Sequence, residues 1–264
     1  MADGRFDPSV AAVPAPLCVE APFEVMAIES RTATIVELRL RPVEEMMAYL
    51  PGEYVLLEDA HHTVPPRSYS LANAPRTDGV ISLLVTRVPH GGTSIWVHDR
   101  LQVGDTVSVW GPYGTFVDHP GATAPMLLLA AGSGLAPVRG LIEAALCDGA
   151  NRTVTLIFSA RTEADVIDRE RFAQWQAQHE RFRFIRTLTG GPGPPPRGRI
   201  PALLPELYRD LSEHELFVAG APGFVQACAT AADALGARRE RVHTEVFYVT
   251  GDDATTSTTE EARS

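Results

Sequence analysis

Four consecutive residues, Arg67-Ser68-Tyr69-Ser70, place a fixed cation, an aromatic ring and two hydroxyls side by side after the proline pair Pro65-Pro66. If the stretch is a strand, its alternation sends Arg67 and Tyr69 to one face and Ser68 and Ser70 to the other. Such a set suits a flat aromatic ligand with a phosphate tail: a guanidinium for the phosphate, a ring to stack on, and hydrogen bonds for the heteroatoms. Taken alone, it fits an ordinary strand after a proline turn equally well. A second group is Gly132-Ser133-Gly134-Leu135-Ala136-Pro137, directly after the apolar run Met126 to Ala130. Glycines at a strand-to-helix turn let the backbone approach an anion, and the first helical N–H groups point at it. Pro137 suits a first helical turn, where a missing N–H costs nothing. The spacing is G-x-G-x-x-P, not the G-x-G-x-x-G of the dinucleotide fingerprint, so a tight turn without ligand also fits. A third group, Gly91-Gly92-Thr93-Ser94, offers amides and hydroxyls to a pyrophosphate, or is a hairpin loop before a capped helix.

The elements that must carry these groups fall into two kinds. From about Pro22 to Pro120 short β segments recur: Thr32 to Leu40, Tyr54 to Leu57, Val80 to Val88 and Thr106 to Trp110, parted by turns such as Pro51-Gly52 and Gly111-Pro112-Tyr113-Gly114. This spacing predicts an antiparallel barrel, interrupted by one short helix from Ser94 to Leu101 with Ser94 as its N-cap. After Pro120, strands at Met126 to Ala130, Val154 to Phe158, Arg183 to Leu188, Leu216 to Ala219 and Val242 to Tyr248 alternate with helices. The first helix carries Val138, Leu141, Ile142, Ala145 and Leu146 on one face and closes at Gly149; a charged one follows from Asp165 to Gln178, and another ends near Gly236. That alternation predicts a doubly wound parallel five-stranded sheet. The expected division is a disordered leader (1–17), a β-barrel domain (18–120), an α/β domain (121–250) and a disordered tail (251–264).

Composition narrows the function. Of 264 residues, 45% are hydrophobic and 21% charged, which describes a globular protein. A net charge of −10 argues against a nucleic-acid partner. Cys18, Cys147 and Cys228 are too few and too far apart to hold an iron–sulfur cluster or a zinc ion. No signal peptide is expected, and the longest apolar run, Pro125 to Ala131, is far too short for a membrane span, so no membrane insertion and a cytoplasmic location are expected. His61 and His62 read as a solvated loop and not as a metal site, His243 as a strand residue near the dinucleotide cleft, and Arg169, Arg171, Arg181 and Arg183 as a solvated face.

The order Arg67-Ser68-Tyr69-Ser70, Gly91-x-x-Ser94, Gly111 to Phe116, Gly132 to Pro137, Gly220-Ala221-Pro222-Gly223 and Glu245-Val246-Phe247 resembles the ferredoxin–NADP reductase superfamily, over about residues 20 to 249. It is most similar to the NAD(P)H-dependent flavin reductase components of bacterial oxygenases. The resemblance implies a flavin-binding Greek-key barrel and a nicotinamide-dinucleotide domain, with FAD favoured over FMN and either NADH or NADPH as donor. It implies that Arg67 and Ser68 face the flavin, Tyr69 stacks on its ring and Ser70 bonds near its reactive nitrogen. Val85 and Thr86 would line the flavin, and Gly91, Gly92, Thr93 and Ser94 would hold its pyrophosphate. Gly132, Ser133, Gly134 and Pro137, joined by Gly220, Ala221 and Pro222, would hold the dinucleotide. Ser159 and Arg161 would read its adenosine ribose, and Glu245 and Phe247 would reach the flavin edge. The implied catalytic residues are Tyr69, Ser70, Glu245 and Phe247. Electrons would pass to a separate ferredoxin, or to another iron–sulfur or haem protein of an oxygenase or P450 system. A free-standing diaphorase or flavin reductase is the enzymatic alternative. A regulatory subunit that keeps the fold without hydride transfer is the other, because relatives commonly read Cys-Gly-Pro-Pro where this chain has Ala219-Gly220-Ala221-Pro222.

Overall fold

The computed structural model describes residues 18–119, 121–147, 152–190 and 196–248. The expected leader, the tail and Gly149 lie outside the described residues.

Six strands form the first sheet: β1 (Val19–Ser30), β2 (Ile35–Pro42), β3 (Tyr54–Asp59), β4 (Arg67–Ser70), β5 (Ile81–Thr86) and β6 (Thr106–Tyr113). They are antiparallel in the order β4-β3-β6-β1-β2-β5, and a bridge between Leu71 and Leu83 draws the two edges together into a nearly closed barrel. Its interior is aliphatic, with Val25, Leu38, Leu40, Val55, Leu57, Leu83 and Val107 fully buried. β1 escapes a reading by alternation because Pro22 lies within it and a bulge shifts its register between Val25 and Ala27. The alternating stretch from Thr32 becomes a strand only at Ile35. Before that, the Thr32 hydroxyl accepts the N–H groups of Thr34 (3.2 Å) and Ile35 (3.0 Å), which makes a turn. The short helix α1 (Gly92–Asp99) begins earlier than expected, with Gly91 at the N-cap. Ser94 is therefore inside the first turn and not the cap; its hydroxyl accepts the Val88 N–H at 3.1 Å.

The second half follows the βα alternation: β7 (Met126–Ala131), α2 (Leu135–Cys147), β8 (Val154–Ala160), α3 (Arg169–Gln178), β9 (Phe182–Leu188), α4 (Ile200–Leu207), β10 (Glu215–Gly220), α5 (Pro222–Asp233) and β11 (Val242–Val246). All five strands are parallel, in the order β11-β10-β7-β8-β9. Leu128 and Phe217 pack with Leu141, Ile142 and Phe172 of α2 and α3 on one face. Leu127 and Leu129 pack with Ile200, Leu204, Val225 and Cys228 of α4 and α5 on the other. The sheet is thus doubly wound, and its order reverses at β7 and β10, the place where such sheets open a crevice at their carboxyl ends. α4 has no clear sequence signature, because Pro201 and Pro205 fall within eight residues; burial of Ile200, Leu203 and Leu204 holds it. The barrel is seated on the α2 face, where its Ile35, Ala72, Leu84 and Phe116 join the same apolar cluster. No helix among the described residues is long and apolar enough to cross a membrane.

Candidate active site

The barrel and the parallel sheet enclose a cleft of about 550 Å³, lined from one side by β4 and the start of α1 and from the other by the β7–α2 turn and the end of β11. That volume lies in the range of small-molecule and cofactor sites.

β4 pairs with β3 so that Arg67 lies opposite Leu57 and Tyr69 opposite Val55, both core residues. The expected alternation therefore holds in the backbone, and all four residues line the cleft. Tyr69 is half-buried against the barrel core, and burial raises its phenol well above the ordinary value, with Arg67 pulling weakly the other way. The ring consequently stays neutral. Tyr54, across from Ser70, also lines the cleft and stacks on Tyr113 at 5.6 Å between centroids.

Gly91, Gly92, Thr93 and Ser94 line the same wall, but their hydroxyls are already engaged. Thr93 Oγ1 donates to the Pro65 carbonyl, which ties α1 to the start of the Arg67 strand, and Ser94 holds the Val88 amide. What remains for an anion is the set of first-turn amides, which no helix can satisfy internally. Thr86 lines the cleft; Val85 is fully buried in the barrel, and its carbonyl is 3.0 Å from His98 Nε2.

On the facing wall, Gly132 adopts a left-handed φ of +56° to start the turn. A Cβ at Gly134 would lie 2.3 Å from the Ala219 carbonyl oxygen, so glycine lets this turn rest directly on the end of β10. Ser133 and Ala136 face the cleft, whereas Gly132, Gly134 and the buried Pro137 shape the turn behind them. Ser159 is the penultimate residue of β8 and lies beside Ala131, Arg161 follows the strand exposed, and Gly220, Ala221 and Pro222 form the β10–α5 turn. These five form the adjoining rim at the carboxyl ends of the strands and do not line the cleft itself.

Across the cleft the Ser70 hydroxyl donates to Glu245 Oε1, although 175 residues separate the two in sequence. Burial raises the Glu245 carboxyl to about 7, with the Ser70 hydroxyl pulling it the other way. Near neutral pH this pair can hold or release a proton inside the cleft. Phe247 reaches the same space, fixed by its N–H on the Gly220 carbonyl at 2.9 Å. Thr244, Val246, Tyr248, Leu84, Thr115 and Phe116 also line the cleft. Strand alternation around Glu245 selects His243 and Phe247 and so would have missed Thr244, Val246 and Tyr248; Leu84 carries no local signal either.

His61, His62 and His243 lie outside the lining of the cleft. His243 is a strand residue, but it does not line the cleft: it stacks on Phe217 at 4.6 Å and bonds Glu215 at 2.6 Å. His62, unlike His61, belongs to a cluster with Glu20 and Glu58 whose ligand atoms lie within 4.8 Å of one another. Those carboxylates already accept hydrogen bonds from Ser108 Oγ (2.6 Å), Trp110 Nε1 (2.7 Å) and His62 Nδ1 (2.8 Å).

The cleft fits a flavin carrying a phosphate tail: neutral aromatic surface at Tyr69 and Phe247, a cation at Arg67, and helix amides at Gly92 to Ser94. Comparison with known proteins agrees. Residues 21–117 match the oxidoreductase FAD-binding domain family, and residues 128–230 match the oxidoreductase NAD-binding domain family. The chain is 31% identical over 229 residues to the ferredoxin–NAD(P)(+) reductase component of the naphthalene 1,2-dioxygenase/salicylate 5-hydroxylase systems of Ralstonia sp., covering 86% of this chain and 69% of that protein. It is 37% identical over 190 residues to ferredoxin–NADP reductase B of Sorangium cellulosum, covering 69% of this chain and 78% of that one. Among solved structures, the Amycolatopsis cytochrome P450 reductase GcoB superposes with a TM-score of 0.84 at 31% identity, over 90% of this chain and 72% of GcoB.

Proposed function

Because the chain belongs to the ferredoxin–NADP reductase superfamily, we propose that it oxidises NADH or NADPH through bound FAD and delivers the electrons to a separate ferredoxin, oxygenase or P450 partner. The carrying observation is the single cleft in which the Arg67–Ser70 strand, the α1 turn, the β7–α2 turn and Glu245 meet. When bound, flavin supplies the conversion of a two-electron hydride into single electrons.

The chain's own residues have separable tasks in this reading. Arg67 and the first-turn amides of α1 bind the phosphates, with Thr93 holding that helix against the strand's entry. Tyr69 and Phe247 supply flat apolar surface that orients the ring and excludes water. Ser70 and Glu245 keep one proton at the inner end of the cleft. The Gly132–Gly134 turn and α2 offer amides to the nicotinamide dinucleotide, and Ser159, Arg161 and the Gly220–Pro222 turn extend that surface along the sheet's rim. The reading divides the chain near residue 120, with 18–120 as the flavin half and 121–250 as the nucleotide half. Three widely spaced cysteines cannot hold an iron–sulfur cluster, so this reading places the one-electron acceptor outside these 264 residues. A cytoplasmic setting, where reduced nicotinamides are produced, belongs to the same reading.

The test is a visible spectrum of the purified protein before and after anaerobic addition of NADH, and separately NADPH, followed by addition of ferredoxin, a haem protein or free flavin. Yellow protein that bleaches and then reduces the iron–sulfur or haem acceptor is the expected result. A colourless protein that takes up no FAD, or a flavin that stays oxidised with both donors, would refute the proposal.

A further inference from the structure

Three contacts outside the cleft join α2 to residues 71–74, the segment that leaves β4 immediately after Ser70. The first is Arg139, which is fully buried and has every arm of its guanidinium engaged. Nε donates to the Ala72 carbonyl, Nη1 to Asp168 Oδ2 at 2.6 Å and Nη2 to Glu37 Oε1 at 2.6 Å. The second is Gly140, where a Cβ would lie 3.1 Å from the Asn73 oxygen and 3.2 Å from the Leu71 oxygen, so the helix backbone rests directly on the segment. The third is Glu143, whose Oε2 accepts the Ala74 N–H at 3.0 Å.

The position of this face is what gives it meaning. Arg139 stands two residues after Pro137 of the nucleotide turn, and Ala72 stands two residues after Ser70 of the flavin wall. One face of one helix therefore links the segment that follows Ser70 directly to the helix that follows the Gly132 turn. Ordinary interface packing does not need a buried guanidinium, whose desolvation a well-packed apolar residue would avoid. What the planar fork adds is direction: the bonds to the Ala72 carbonyl and to Glu37 resist sliding or rotation of the helix over the barrel, while the bond to Asp168 fixes the guanidinium from its own half.

We propose that the Arg139–Glu143 face of α2 is a spacer that sets the separation of the flavin and nicotinamide subsites, with Arg139 and Gly140 as positioning residues for hydride transfer. This rests on the proposed function. The step breaks the C4–H bond of the reduced nicotinamide and delivers that hydride, with both electrons, to the flavin ring, so the nicotinamide is oxidised and the flavin reduced. A misplacement of about 1 Å in such a step costs on the order of a hundredfold in rate.

The experiment compares wild type, Arg139→Gln, Arg139→Lys and Gly140→Ala as full-length purified proteins. Anaerobic rapid mixing with NADH or NADPH gives the limiting rate of flavin bleaching, the half-saturating donor concentration and the isotope effect with C4-deuterated donor. Flavin content per chain and hydrogen exchange at the Ala74 amide are measured alongside. Arg139→Gln and Gly140→Ala should lower the limiting rate about ten- to a hundredfold and raise the isotope effect, while flavin content and half-saturation hold. Arg139→Lys should recover part of the rate, and the Ala74 amide should exchange faster in Gly140→Ala. Unchanged rates, or a fall matched by loss of flavin or of donor affinity, would overturn the spacer. Gly140→Ala adds a single methyl group and decides the matter should Arg139→Gln not fold. A wild-type protein that fails to bleach would refute the proposed function and the spacer with it, whereas a bleaching wild type with insensitive variants removes the spacer alone.

Discussion

Replacing Glu245 by glutamine tests the electrostatics of the cleft without disturbing its shape. The Glu245 carboxyl is raised by burial from an ordinary 4.5 to about 7, with Ser70 opposing. Between those two values the folded chain binds more protons than the unfolded one, so this group makes stability fall as pH rises from about 4.5 to 7. At about 1.4 kcal/mol for each tenfold change in proton affinity, the full difference is about 3 kcal/mol, and partial contact with solvent lowers it to about 2 kcal/mol. Glutamine has no charge to bury and can still accept from Ser70 through its carbonyl. Urea unfolding of the flavin-free full-length chain at pH 5 and pH 8 should therefore show a wild type that weakens at the higher pH by about 2 kcal/mol more than Glu245→Gln does. At pH 8 the variant should be the more stable protein. If both proteins change equally between the two pH values, the carboxyl is not held protonated by burial and the reasoning fails.

The remaining predictions concern other parts of the frame. Gly134→Ala drives a Cβ to 2.3 Å from the Ala219 oxygen, so NADH and NADPH binding, followed by titration, should weaken by about tenfold or more while flavin content is kept. Glu37→Ala leaves Arg139 buried without its Glu37 partner and should cost about 3–5 kcal/mol in urea unfolding. Burial raises the Glu37 carboxyl but Arg139 and Arg31 more than offset it, holding it at about 2, so its contribution is complete above about pH 4.5 and is lost as pH falls toward 2. Ala219→Cys adds a sulfur to a fully buried position and should cost about 1–3 kcal/mol by thermal unfolding. Its limiting bleaching rate should move by no more than about tenfold, since positioning dominates this chemistry; a hundredfold gain would show that a thiol is a needed group here.

What could be read in advance was whatever leaves a local imprint. The change from short β segments to βα units, and the turns at Gly91 and Gly132, follow from spacing and from glycine, and they recur in the structure within a few residues. Ser70 and Glu245 were each identifiable from their motifs, but their mutual bond was not, because 175 residues separate them. Arg139 is harder still. In a helix read by its apolar stripe a charged residue belongs to the solvent side, and only the arrival of Glu37 and the Ala72 carbonyl from the barrel makes its burial possible. Val85 and Ser94 illustrate the same limit at short range. Whether a strand residue points into a barrel or out of it depends on closure, and whether a serine caps a helix or holds the preceding loop depends on where the helix starts.

β11 is the last described strand, lies at the sheet's edge, and carries Glu245. During synthesis the barrel, with Arg67, Tyr69 and the α1 amides, emerges from the ribosome long before that residue does. On the proposed function, the flavin wall is therefore made before the strand that closes the cleft against it. The β11 wall is thus the last part of the cleft to be made, and on the proposed function a disturbance of that strand is felt first in turnover and only afterwards in flavin retention.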